Sequence, residues 1–295
     1  MIIVLAGPTA SGKSDMAVSL AKKIGGAVIN ADAFQVYEEL NIATAKPSVK
    51  TRNEVPHYLF DFVPLTNSYS VYEYQKDLRN IIDRLLKNKT PIIIAGGTGL
   101  YIRAGLYDYE FPEEAEIDMS KFEAMDSQSL YDYLTSIDPE EAQTIHPHNR
   151  VRVLRAIKVY LSTGKKRSEI KSNQNHKPIY TDLYFFGLEK ERSNLYQRCD
   201  LRVDKMFDEG LVEENFKLYK RYGESPRAFQ AIGVKELFPY FKGEISLDEC
   251  KAAIKKSTRN YVKRQETFFR NQFDINWISE EDDIYKAVPS LLTLR

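Results

Sequence analysis

Short apolar runs alternate with helical patterns over the first hundred residues. "MIIVLA" (1–6), "AVIN" (27–30), "YLFDFV" (58–63) and "PIIIAGG" (91–97) have the length and continuity of buried strands. Between them, residues 13–24 and 71–88 repeat apolar side chains at helical spacing. This alternation predicts an α/β fold, a parallel sheet flanked by helices, with ligands at the carboxyl ends of the strands. Pro91 suits only the first position of its strand, because it has no N–H to give a central ladder.

From Gly105 the character changes to an acidic stretch poor in β-branched residues, with "SLYDYLTSI" as a short helix. The pattern predicts three parts: residues 1–104 as the first part of the core, 105–145 as a small helical insertion, and 146–295 as the rest of the core with C-terminal helices. Within the last part, a helix is expected over 149–163, closed by Gly164, then a strand in "TDLYFFGL" (181–188). The longest helix is expected over 246–273.

Composition adds little until it is divided along the chain. The formal net charge is zero. Yet residues 105–145 carry one basic and twelve acidic residues, and 146–275 carry twenty-seven basic and seventeen acidic. The later segment suits a polyanionic partner and the insertion does not. Two cysteines, Cys199 and Cys250, far apart in helical patterns, make neither a disulfide framework nor a zinc site. The apolar start has no basic n-region, and no run reaches membrane-span length. A cytoplasmic protein is expected.

The candidate chemistry begins at "GPTASGKS", Gly7 to Ser14, which fits G-x-x-x-x-G-K-[ST] and stands between a strand and a helix. In that place the loop backbone turns its N–H groups onto phosphate oxygens, at the positive end of a helix dipole. Lys13 neutralises the outer phosphates and the Ser14 hydroxyl can hold Mg²⁺. The fold expected is therefore a P-loop NTPase-like sheet. The usual companions are missing: there is no Asn-Lys-x-Asp, and "PIIIA" ends in glycines where a Walker-B aspartate would stand. Asp32, after "AVIN", is open to three roles: magnesium ligand, helix cap or catalytic base.

Polar residues Asp32, Gln35, Tyr37, Thr44 and Lys46 follow that strand, and "GGTGLYIRA" (96–104) offers Thr98 and Arg103 from the next. Both segments are expected to line the mouth of the phosphate site. Farther on, Arg152 and Arg155, then Arg198, Arg202 and Lys205, then Lys251, Lys255, Arg259 and Lys263 form three basic helical stripes. Stripes mixed with aromatics, as in "KRQETFFRNQF", suit nucleic acid.

These segments carry a resemblance. "GPTASGKS", "NADAFQVY…IATAKP", "VPHYLFDFV", "YSVYEYQ", "GGTGLYIRA", "IHPHNRVRVLRAIKVYLSTGK", "FQAIGVKE" and "RNYVKRQETFFR" occur in the order seen in the tRNA dimethylallyltransferase family. The resemblance implies transfer of the dimethylallyl group of dimethylallyl diphosphate to N6 of the adenosine 3′ of the anticodon. It implies that Gly7, Thr9, Ala10, Ser11, Gly12, Lys13 and Ser14 hold the diphosphate, with Mg²⁺ on Ser14. Asp32 would be the base, with Thr98 and Arg103 as further catalytic residues. Asp32, Ala33, Phe34, Gln35 and Thr98 match contacts to the target base. Val151, Arg152, Val153, Leu154, Arg155, Gln230, Lys235, Lys263, Arg264, Gln265 and Arg270 match segments that hold the tRNA anticodon stem-loop. A monomer is expected. The chain departs from the family pattern at Ala33-Phe34, at Glu38-Glu39 and at Val234, and its insertion is short.

Three other readings keep part of the pattern. A P-loop kinase of a small metabolite or nucleoside retains the loop but leaves the basic half idle. A nucleotide-switched RNA-binding protein retains the stripes and forms no covalent product. A prenyltransferase acting on free adenine nucleotides needs no such basic footprint.

Overall fold

The computed structural model describes residues 1–174 and 176–294. By contacts they fall into two compact units: Met1–Leu106 together with the chain from Tyr180 onward, and Tyr107–Ile179.

The first unit is built on a six-stranded sheet, all parallel: β1 (Ile2–Ala6), β2 (Ala27–Asn30), β3 (His57–Tyr58), β4 (Ile92–Gly96), β5 (Leu183–Leu188) and β6 (Asn276–Ile278), in the order β3-β2-β4-β1-β5-β6. The α/β class read from the sequence holds. β1, β2 and β4 are near-continuous apolar runs because both faces are covered. On one face, α1 (Lys13–Ile24) buries Ala17, Leu20, Ala21 and Ile24 against Ile3, Leu5 and Ile93. α2 (Val71–Lys87) starts at a capping box, in which Ser70 and Glu73 satisfy each other's backbone N–H, and buries Tyr74, Leu78 and Ile82.

One local expectation changes. The strand read over 58–63 is interrupted after Tyr58, because Leu59 and Asp61 take positive φ (62° and 57°) and break the ladder; pairing resumes only as a single parallel bridge between Val63 and Tyr37. The glycine-rich "GGTGLYIRA" forms a helix, α3 (Gly99–Leu106), directly after β4. Gly105 lets that helix approach α2, since a Cβ there would lie 2.2 Å from Leu78 Cδ2.

The second unit contains α4 (Ser127–Ile137) and α5 (Arg150–Thr163). Leu130, Leu134, Ala142 and Ile145 pack with Val153, Ala156 and Ile157 in one apolar cluster. The expected boundary at 145 therefore moves. α5 belongs to the inserted unit, which runs to Ile179, because its apolar face has its partners there.

Back in the first unit, α6 (Arg192–Asp208), α7 (Leu211–Tyr222) and α8 (Leu247–Gln272) complete the chain. Leu211, Leu218, Phe229, Leu237 and Ile254 share a cluster with Val36, Tyr37 and Leu40 from the segment after β2. The C-terminal helices thus pack directly on the polar segment that borders the site.

Candidate active site

The chain leaves β1 through Gly7 (φ 134°) and enters α1 through Gly12 (φ 103°), two left-handed conformations that favour glycine. The turn wraps around Lys13, which is only 8% exposed. Its Nζ donates to the Pro8 carbonyl at 2.6 Å and lies 3.5 Å from Ser11 Oγ. Burial, then the positive charge of Arg202, lower the Lys13 pKa from 10.5 to about 7, partly offset by Asp32.

A cavity of about 610 Å³ opens at the carboxyl ends of the strands, where an open parallel sheet binds ligands. Thr9, Ala10, Gly12, Lys13 and Ser14 line it from the phosphate loop, Asp32 and Gln35 from the segment after β2, and Gly96 and Gly97 from the end of β4. Ser11 is buried beneath the loop and does not line the cavity.

Asp32 is held by its backbone and its neighbours. Its N–H donates to Asn30 Oδ1 at 2.9 Å, and Asn30 Nδ2 donates back to the Asp32 carbonyl at 3.0 Å. The carboxylate accepts from Phe34 N–H at 2.9 Å through Oδ1. Thr98 does not line the cavity; its Oγ1 accepts from Ala33 N–H at 3.0 Å and its N–H donates to the Ala31 carbonyl at 3.0 Å. These bonds pin the two site-forming loops together. Gly96 permits that approach, because a Cβ on it would lie 2.2 Å from the Ala31 carbonyl. Tyr261 of α8 faces Thr98, Gln265 and Asp32, and burial lifts its phenol to about 12.

The structure adds residues that the sequence pattern pointed elsewhere. Arg198, Arg202 and Lys205, one of the basic stripes, turn into the cavity from α6. Arg198 Nε donates to the Ala10 carbonyl at 2.7 Å, and Arg202 Nη1 to Thr9 Oγ1 at 3.3 Å. Burial lowers the pKa of Arg202, opposed chiefly by Asp32. Spacing alone identified the stripe; only packing shows which way it faces.

Three of the four bases in the third stripe are already partnered. Lys251 and Lys255 reach Asp204 at 2.8 and 2.7 Å, and Arg259 reaches Asp200 at 2.6 Å, all pairing α8 with α6. Arg103 hydrogen-bonds Gln272 and does not line the cavity. Gln265 lines it instead, buried, with both amide groups bonded to protein. Ala33 and Phe34 follow Asp32 without lining the cavity. Gln230, Lys235, Lys263, Arg264 and Arg270 are exposed on the same unit. Val151, Arg152, Val153, Leu154 and Arg155 lie in the second unit. There Arg155 pairs with Glu114, and Val153 packs in the apolar core, so that side chain offers no surface. At a departure from the family pattern, Glu39 pairs with Arg221 and Tyr222 of α7, bases and acids matching locally.

A strand, glycine-rich loop and helix, with a carboxylate lining the same cavity, define an α/β protein with a P-loop-like fold. The comparisons make that narrower. The family model "IPP transferase" matches residues 35–272. A tRNA dimethylallyltransferase of Anoxybacillus flavithermus is 42% identical over 284 residues, covering 96% of this chain and 91% of its own length. The crystal structure of a tRNA isopentenylpyrophosphate transferase from Staphylococcus epidermidis superposes with a TM-score of 0.73 at 37% identity, over 99% of this chain and 98% of that one. A eukaryotic dimethylallyltransferase, crystallised acting on tRNA, gives a TM-score of 0.84 at 29% identity, over 99% of this chain and 77% of that one. The chain belongs to the IPP transferase family, the prenyl-transferring enzymes named tRNA dimethylallyltransferases.

Proposed function

We propose that this chain transfers the dimethylallyl group of dimethylallyl diphosphate to N6 of the adenosine 3′-adjacent to the anticodon, position 37, of a tRNA. It would act in the cytoplasm as a monomer on the anticodon stem-loop. The observation that carries this reading is one shared cavity. Lys13, Arg198 and Arg202 line it around the phosphate loop, and Asp32 lines the same cavity from the segment after β2.

In this reading the loop holds a leaving group. The C1–O bond of the donor breaks, N6–C1 forms, and the diphosphate departs with the electrons of the broken bond. Loop N–H groups, Lys13 and the two arginines stabilise the charge that grows on the departing oxygens. The adenine amine is a poor nucleophile, because its lone pair is delocalised into the ring. Asp32 orients N6 by accepting its hydrogen bond and takes its proton as the new bond forms. The base leaves its stack to reach the carboxylate. Gln35, beside Asp32, is held by its Nε2 donating to the Thr44 carbonyl at 3.0 Å.

Mg²⁺ fits the same place. Ser14 presents an exposed hydroxyl at the start of α1, and among the described residues no group of three or more His, Cys, Asp or Glu could hold a metal alone. Ser14 would hold the ion, a hard cation that takes oxygen ligands. It would supply positive charge to the diphosphate.

The test is a mass measurement on an unmodified anticodon stem-loop with adenosine at position 37, incubated with protein, Mg²⁺ and dimethylallyl diphosphate but no ATP. The expected product is the RNA heavier by one dimethylallyl group in place of hydrogen. No gain on the stem-loop or on full-length tRNA, with a gain on free AMP, would transfer the reading to a small acceptor. ATP consumption without the isoprenoid donor would make the chain a kinase.

A further inference from the structure

The backbone ladder between β1 and β4 ends at Ala6 and Gly96. Beyond it, the phosphate loop and the β4 exit are joined by a side chain from 168 residues farther along than Gly97. Gln265 on α8 is 4% exposed. Its Oε1 accepts from the Thr9 N–H at 2.9 Å, and its Nε2 donates to the Gly97 carbonyl at 2.9 Å. The amide therefore acts as one more rung between the two strands' continuations, with the N–H and C=O pattern of a peptide group.

Space at the other end of this rung is kept by a missing side chain. A Cβ on Gly97 would lie 2.0 Å from Gln265 Nε2 and 3.2 Å from its Cδ. The φ of Gly97 lies outside the left-handed region, so room, and not backbone conformation, is what glycine supplies here. Thr9 is in turn the loop residue whose Oγ1 meets Arg202. Fixing Thr9 N–H fixes the first bend of the phosphate loop.

We propose that Gln265 is a positioning residue for the donor: its amide locks the phosphate loop to the β4 exit, and Gly97 is the space that amide requires. The inference rests on the proposed reading of the loop as a diphosphate site. It assigns Gln265 a different task from the RNA contact that the family resemblance implies, because both functions of the amide are bonded within the protein.

The test is a double-mutant cycle on the full chain with Gln265→Met, Gly97→Ala and the pair. Three quantities are read: calorimetric Kd for inorganic pyrophosphate with Mg²⁺, Kd for the anticodon stem-loop, and KM for dimethylallyl diphosphate. Either single variant is expected to raise the pyrophosphate Kd and donor KM about tenfold, as loss of buried hydrogen bonds does, with the stem-loop Kd within about twofold. The pair is expected to be no more than about twofold worse than the worse single, since both lesions remove one bridge. Weakened stem-loop binding with unchanged pyrophosphate binding would overturn the proposal, and so would multiplying effects. Should Gln265→Met fail to fold, Gly97→Ala carries the same comparison, because it displaces only the far end of a side chain. A wild-type protein that binds no pyrophosphate would instead bring down the diphosphate reading itself, and this inference with it.

Discussion

Lys13 and Pro8 are joined by a 2.6 Å hydrogen bond from the lysine ammonium to the proline carbonyl, inside the loop that both belong to. Burial, then the positive charge of Arg202, lowers the pKa of this lysine from 10.5 to about 7. Its proton is then a reporter of the loop. The folded state holds this proton less firmly than the unfolded chain, whose lysine titrates near 10.5. The group therefore subtracts from stability below about pH 7, and the penalty is relieved as pH rises from about 7 towards 10.5. A diphosphate reverses the balance by favouring the charged lysine. Binding of dimethylallyl diphosphate at pH 8 should take up close to one proton, measured by calorimetry in buffers of different ionisation enthalpy. Affinity should fall by up to about tenfold per pH unit above 7. Lys13→Met should bind weakly and lack both effects; equal proton uptake in that variant would assign the titration to another group.

Arg202 supplies the second charge. Half-buried beside Lys13 and Thr9, it lowers the lysine pKa and is in turn favoured by Asp32. Arg202→Ala should raise the Kd for the donor by about ten- to a hundredfold, the range for a charge-assisted hydrogen bond. It should also move the pH break of donor binding upward, since the like charge holding Lys13 down is gone. Unchanged donor binding with weakened RNA binding would return Arg202 to the nucleic-acid stripe.

How much of this was legible depended on whether a feature is local. The β1–loop–α1 unit was readable because an apolar run, two obligatory glycines and a helical pattern stand side by side. Asp32 could be singled out, since a carboxylate at the exit of a buried strand has few roles. β6, Asn276–Ile278, was missed because three residues carry no periodicity. "YLFDFV" read as a strand, but Asp61 is drawn off to Lys46 at 2.6 Å and Arg52 at 3.0 Å, a tertiary pull that no window contains. The α6 stripe was visible as a stripe, whereas its direction is set by α8. Gln265 and Thr9 are too far apart in sequence for spacing to pair them.

Asp32→Asn is the direct test of the base. The amide keeps an oxygen for the Phe34 N–H, so the turn is retained while the proton acceptor is lost. Transfer should fall by about 10²- to 10⁴-fold, the usual contribution of a general base, with stem-loop Kd within about twofold. Single-turnover assays separate the two quantities. Near-normal turnover would remove Asp32 from the chemistry and leave it as a cap.

Glu214 connects the C-terminal helices to the site. From α7 it accepts the backbone N–H groups of Asn41 at 3.1 Å, Ile42 at 3.0 Å and Ala43 at 3.3 Å. That turn carries Thr44, whose carbonyl holds Gln35. Glu214→Ala strands three donors and should destabilise the protein by about 1–3 kcal/mol, read by urea unfolding. Glu214→Gln retains one acceptor and should recover part of the loss. Equal stability of all three proteins would mean that water replaces the carboxylate without penalty.

The ion pairs of α8 divide its basic residues into two groups with opposite expectations. Lys251, Lys255 and Arg259 are matched by Asp204 and Asp200, so few of their charges are available to phosphates. Lys263 and Arg264, farther along, are exposed. Each phosphate contact on a single strand contributes about 0.7 to the slope of log K against log salt. Lys263→Ala with Arg264→Ala should therefore weaken stem-loop binding and flatten that slope by about 1 to 1.5. Lys251→Ala with Lys255→Ala should leave both nearly unchanged. The reverse result would mean that RNA draws these lysines away from Asp204, and that the pairing between α6 and α8 opens when the substrate docks.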